Sequence, residues 1–140
     1  MQTAWLRLLE LRDDSFYSSR VPTKIALCLA AWLIPGSGHL LQGRWARGLL
    51  FFAVVMVLFV FGLSMDGRLF GLGPGFFGKL KFIADLSIGI PYLLGKWAGW
   101  GAGNIHSFGY EYGNTFLYTA GLLNMLMVLD SYDIAAGNRR

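Results

Sequence analysis

The sequence predicts an all-α integral membrane protein, a helical bundle of about four membrane segments. Three observations predict it. Hydrophobic residues make up 55% of the chain and charged residues only 14%, against roughly 25% charged in an average soluble domain. So few charges cannot cover a water-facing surface, so lipid has to cover part of it. Residues 49–63 contain no polar side chain at all, the composition of a segment facing hydrocarbon. Pro and Gly clusters interrupt the apolar runs, and Trp and Tyr gather at their ends, where amphipathic rings anchor in the headgroup layer.

A length of 140 residues allows one domain. The expected organisation is an N-terminal amphipathic or loose segment, 1–21, followed by a membrane domain, 22–140. The membrane segments are expected at about 24–42, 47–65, 76–97 and 115–135. The net charge of +4 comes from basic residues that flank apolar runs. That pattern sets membrane orientation and excludes nucleic acid as a partner. The single cysteine, Cys28, lies in an apolar run; it rules out a disulfide within the chain and reads as a packing residue. The first apolar run has no small-residue exit for cleavage, so the N-terminus is expected to be retained.

In segment 1–21, Trp5, Leu8, Leu9 and Leu11 can share one helix side, with Arg7, Glu10 and Asp14 on the other. Such a helix would lie on the membrane surface. Pro22 suits the start of the next helix. The apolar part of the first membrane segment, 25–41, is 17 residues long, at the lower limit for a crossing. Pro35, Gly36 and Gly38 break it, because proline removes an amide donor and clashes with the preceding turn. Broken backbone at membrane depth needs protein or water around it, so this stretch should face other helices. The clearest crossing is 47–65, with Arg44, Trp45 and Arg47 anchoring its start and Asp66 and Arg68 its end. A Gly-rich loop follows. In 76–97, Lys81, Asp85, Tyr92 and Lys96 fall along one helix face, and Pro91 should kink the helix. A second Gly-rich loop carries His106. Asn114 or Thr115 then caps the last segment.

Four crossings put both termini on one side. Nine basic residues then share that side (Arg7, Arg12, Arg20, Lys24, Arg68, Lys79, Lys81, Arg139, Arg140), against Arg44, Arg47 and Lys96 on the other. This balance places both termini in the cytoplasm. If the first segment re-enters on its own side, the split becomes seven to five.

The stretch PGSGHLLQGRWARG resembles the helix-and-turn pattern of two-transmembrane-helix (TM-two) domain proteins. Over residues 24–137 the chain, through AWLIPGSGHLLQGRWARGLLFF, GIPYLL and EYGNTFLYTAGLLNMLMVLDSYDIAAG, resembles an uncharacterised family of small bacterial membrane proteins, a domain of unknown function. The resemblance implies a multi-pass protein of the bacterial inner (cytoplasmic) membrane. It implies no activity.

Each polar residue in or beside an apolar run has two readings. His39 could ligate haem or a chlorophyll-type pigment, since small glycines beside it leave space for a ring. The structural reading, in which it bonds the carbonyls freed at Pro35, is the preferred one. Arg44 and Arg47 could bind lipid phosphate or another anion, or simply anchor the topology. Asp85 is the innermost carboxylate and a functional candidate by position; Lys81, one turn earlier, is its expected ion-pair partner. Asp130 and Asp133 could act as paired carboxylates or pair with Arg139 and Arg140. Asn124, on one face with Ser131, reads as interhelical hydrogen-bond glue.

The sequence has no phosphate loop, nucleophile elbow, metal-ligand cluster or HExxH motif, which points away from an enzyme. The leading expectation is a non-enzymatic accessory or assembly subunit of a larger membrane complex, such as a respiratory or photosynthetic one. Its partners would be lipids and other membrane-protein subunits. The alternatives are a lipid- or small-solute-handling protein using Arg44, Arg47 and Asp85, and a tetrapyrrole-binding subunit using His39.

Overall fold

The computed structural model describes residues 2–137, with the side chains of 9–23 left aside. Its helices are α1 (Gln2–Leu33), α2 (Ser37–Leu41), α3 (Trp45–Ser64), α4 (Gly75–Leu86), α5 (Ile90–Trp97) and α6 (Tyr110–Ala135). Among the described residues there is no strand, only an isolated antiparallel bridge between Arg68 and Ala102.

Helices α3 and α6 form an antiparallel spine. At one end Gly62 lies against Gly113 and Leu117; a Cβ there would come within 2.6 Å of Leu117 Cγ. At the other end Arg47 and Phe51 face Met127, Asp130 and Asp133. Between them Val55, Phe59, Leu117, Ala120 and Met127 make the core, joined by Leu69, Ile88 and Tyr92.

The first expected segment, 24–42, is not one rod. Helix α1 stops at Leu33, Gly36 adopts φ +81°, and the short α2 turns back. Proline ends the helix and glycine supplies the left-handed residue that reverses it. Gly36 also has no room for a side chain, because a Cβ would meet the backbone of Gly48, with Phe52 N at 3.2 Å. At the base of this hairpin, Gln42 Nε2 donates to the Ser131 carbonyl at 2.9 Å. Arg44 N donates to the His39 carbonyl at 2.9 Å and turns the chain into α3. The hairpin therefore opens at the C-terminal end of α6.

The segment 76–97 is divided in the same way. A single helix kinked at Pro91 was expected. The break instead falls at Ser87–Gly89, with Gly89 at φ +89°, and Pro91 sits in the first turn of α5, where its missing amide costs nothing. This hairpin opens at the N-terminal end of α6. There Leu69 N donates to the Gly101 carbonyl at 2.9 Å, and Arg68 N donates to Asn114 Oδ1 at 2.7 Å.

The two hairpins thus enter the spine from opposite ends and meet tip to tip beside Asn124. A Cβ on Gly89 would lie 2.7 Å from the Leu33 carbonyl oxygen. The halves carry the same local sequence: Gly36-x-x-His39-Leu40-Leu41-Gln42-Gly43-Arg44-Trp45-Ala46 and Gly89-x-x-Tyr92-Leu93-Leu94-Gly95-Lys96-Trp97-Ala98. One residue, Gln42, has no counterpart. This short internal repeat, 36–46 and 89–98, forms the second arm of each hairpin.

Two further expectations change. Helix α1 runs without a break from Gln2 to Leu33, through Pro22 and not from it. Trp5, Leu6 and Leu8 are exposed, while the side chains of Leu9, Glu10, Leu11 and Asp14 lie outside the described residues. Asn114 is no cap either. Helix α6 starts at Tyr110, and Asn114 uses its side chain to hold the 66–74 loop.

The spine is apolar on its surface as well as in its core, and several polar side chains lie inside. Leu49, Leu50, Val57, Val60 and Phe61 of α3 and Leu122, Leu126 and Leu129 of α6 are each more than half exposed. His39, Asp85, Asn114, Asn124 and Ser131 are buried. Among the described residues, α3 is the one helix long and apolar enough to cross a membrane.

Candidate functional site

Three polar contacts hold the hairpins on the spine. The first is at the base of α2. His39 Nε2 lies 2.9 Å from Asp130 Oδ2, and His39 Nδ1 lies 3.2 Å from Ser131 Oγ. A carboxylate only accepts, so the Nε2 proton goes to Asp130 and the Ser131 hydroxyl can donate to Nδ1. The imidazole has 0% exposure and meets the edge of Phe51 with ring centroids 5.1 Å apart. Both ring nitrogens are engaged, which leaves neither for axial ligation of a tetrapyrrole. The residue types are those of a serine hydrolase, but the chemistry is not available. Ser131 also has 0% exposure, and Gly38 packs against its side chain, so no acyl substrate can reach the hydroxyl.

The second contact is at the tips. Asn124 Nδ2 donates to the Trp32 carbonyl at 3.0 Å and to the Ser87 carbonyl at 2.8 Å. These carbonyls belong to the ends of α1 and α4, where the last four have no helical partner. One amide from α6 thereby serves both breaks.

The third contact is around Leu69 and Phe70. Asp85 Oδ2 accepts from Phe70 N at 2.7 Å. Tyr92 donates to the Phe70 carbonyl at 2.8 Å, and Lys96 Nζ donates to the Leu69 carbonyl at 3.1 Å. Lys81 does not pair with Asp85; its ammonium lies 4.9 Å from the centre of the Phe70 ring. The four polar residues of segment 76–97 do converge, but from two helices onto a dipeptide of the preceding loop. Asp85 Oδ1 is buried without a protein partner among the described residues.

Beside the first contact lies an open groove of about 470 Å³ between α3 and α6. Phe51, Leu123, Leu126 and Met127 make its floor, and Arg47, Asp130 and Asp133 stand at its polar mouth. Arg47 is in the first turn of α3, where unpaired amides and the helix dipole favour a negative group. Arg44 is the residue preceding that turn and does not line the groove. His39, through Asp130, fixes one acid of the mouth.

The structure thus joins His39 to Asp130 and Ser131 and sets Arg47 along the same groove as Asp130 and Asp133, while Asp85 stands apart near the other end. The expected partners of Asp130 and Asp133, Arg139 and Arg140, lie outside the described residues. Sequence reasoning missed Gln42 and Ser131 as contacts of the first hairpin. The internal repeat was the signal that could have found both hairpins.

Fold and site together define an all-helical chain of two opposed hairpins on a two-helix spine. The chain belongs to a family of unknown function (DUF6677), whose model matches residues 26–140. No curated protein and no solved structure matches it.

Proposed function

We propose that the protein is a non-enzymatic integral membrane protein that binds a membrane phospholipid in the α3–α6 groove. The single observation that supports it most is the groove itself, with a cation at the N-terminal turn of α3 above an apolar floor. Phosphate suits the first part and an acyl chain the second. The apolar surface of the spine supports the membrane setting, since exposed leucine and phenylalanine with buried asparagine and histidine suit hydrocarbon and not water.

In this reading α3 and α6 cross the bilayer, and the two hairpins re-enter from opposite faces. Irregular backbone at that depth is tolerated where protein surrounds it, as Asn124 surrounds the tips. Both termini then share a side with Arg7, Arg12, Arg20, Lys24, Arg44, Arg47, Arg139 and Arg140. Arg68, Lys79, Lys81 and Lys96 lie on the other. Eight basic residues against four again favour cytoplasmic termini, in a bacterial inner membrane.

The test is native mass spectrometry of protein purified in mild detergent. Phospholipid is expected to stay with the wild type and to be lost from an Arg47→Gln variant. Wild type free of lipid, or a variant that keeps it, refutes the proposal.

A second reading, an accessory or assembly subunit, is favoured by the opposite end of the molecule. Trp97 is 87% exposed, Phe108 93%, and Leu72, Phe76 and Phe77 75% each, an apolar cap suited to a partner subunit. A pull-down at native expression tests it, and recovery of the chain alone counts against it.

A further inference from the structure

We propose that the groove selects a zwitterionic phospholipid with a primary amine, its phosphate on Arg47 and its ammonium on Asp133. The inference rests on the lipid-binding reading above and adds the headgroup class.

Arg47 and Asp133 line one groove yet form no ion pair with each other among the described residues. Opposite charges set along one mouth without touching match a ligand that carries both charges itself. In a phosphoethanolamine headgroup the ammonium sits two carbons from a phosphate oxygen, which supplies that pair in one short unit. Asp130 reinforces the acidic side. It lines the same mouth and accepts from buried His39, so it is held in place before any ligand arrives. The phosphate lies toward the first turn of α3, where Arg47 and the unpaired helix amides both favour an anion. The acyl chain runs inward over Phe51, Leu126 and Met127.

The chemistry ranks headgroups. A primary ammonium can donate to the Asp133 carboxylate. A choline headgroup brings the charge but no N–H. A glycerol headgroup brings net negative charge next to Asp130 and Asp133, and is disfavoured. A charge-assisted hydrogen bond gained or lost corresponds to about tenfold or more in affinity.

The experiment uses the full chain, stripped of lipid in detergent, with an equimolar mixture of phosphatidylethanolamine and phosphatidylglycerol of identical acyl chains. Native mass spectrometry reads the bound ratio. Wild type is expected to enrich the ethanolamine lipid about tenfold. Asp133→Asn should bring the ratio close to one while phospholipid remains bound, and Asp133→Glu should restore the preference. Arg47→Gln should lower both lipids together. Helix content and unfolding temperature equal to wild type establish that each variant is folded. Equal binding of both lipids by wild type, a preference for the glycerol lipid, or a preference that survives Asp133→Asn overturns the inference and leaves lipid binding standing. No bound phospholipid of either kind overturns both.

Discussion

The indole Nε1 of Trp32 donates to the carbonyl of Leu86 at 3.1 Å, and so ties the last turn of α1 to the last turn of α4. Each of those helices stops inside the molecule, where its final carbonyls lack helical partners. The two broken ends satisfy one another, and Asn124 serves what remains. Neither hairpin is complete without the other.

Removing the shared amide should therefore loosen both tips at once. Asn124→Leu, which keeps the volume, orphans the Trp32 and Ser87 carbonyls. Two buried acceptors left unmet correspond to about 2–4 kcal/mol. A clear fall in the thermal unfolding temperature in detergent is expected; an unchanged value contradicts the clamp.

The tip glycines should not tolerate a methyl group. Gly89→Ala would drive a Cβ against the carbonyls of Trp32 and Leu33, whereas Gly75, also at positive φ, has open space around it. Gly75→Ala should cost only the conformational term, about 1–2 kcal/mol. Gly89→Ala should cost distinctly more and lower the yield of folded protein. Comparison of the two melting curves checks it.

Asp85 should matter as an acceptor and not as a charge. Asp85→Ala leaves Phe70 N without its partner and should cost about 1–3 kcal/mol. Asp85→Asn keeps an acceptor and removes a buried carboxyl with no ion pair within 4.0 Å among the described residues, Lys96 acting on it only at longer range, so stability close to wild type is expected. Chemical denaturation of both variants gives the comparison.

His39 and Asp130 should be energetically coupled. In a double-mutant cycle with His39→Ala and Asp130→Asn, the combined loss should fall short of the sum by about 0.5–3 kcal/mol. Strict additivity would mean that the 2.9 Å contact contributes nothing.

Labelling separates re-entrant hairpins from four crossings. Cysteines introduced at Thr3, Gly43 and Gly137 in a Cys28→Ala background should react from one side of the membrane, and those at Gly73 and Gly103 from the other. Four complete crossings would move Gly43 away from the termini and Gly73 toward them.

Some of this was legible in the chain. The apolar run at 49–63 reads as one long apolar helix, and it is α3. The break at Pro35–Gly38 follows from proline and glycine chemistry alone. The polar set Lys81, Asp85, Tyr92 and Lys96 announced an inward-facing cluster. Its partner, the Leu69–Phe70 backbone, was not legible, because a backbone amide carries no sequence signature. The same is true of Asn124, whose spacing from Ser131 marks a buried face but not the two carbonyls it serves.

The sequence by itself determined that the protein is helical, that 49–63 lies in a long apolar helix, and where its first hairpin must bend. Local chemistry decides these things: hydrophobic burial, the missing proline amide, the freedom of glycine. Only the tertiary structure decided that α2 and α5 turn back and do not continue, and that His39 finds Asp130 across 91 residues. Whether a bent helix crosses or returns depends on which distant groups satisfy its broken end, and those groups are brought together only by packing against α6.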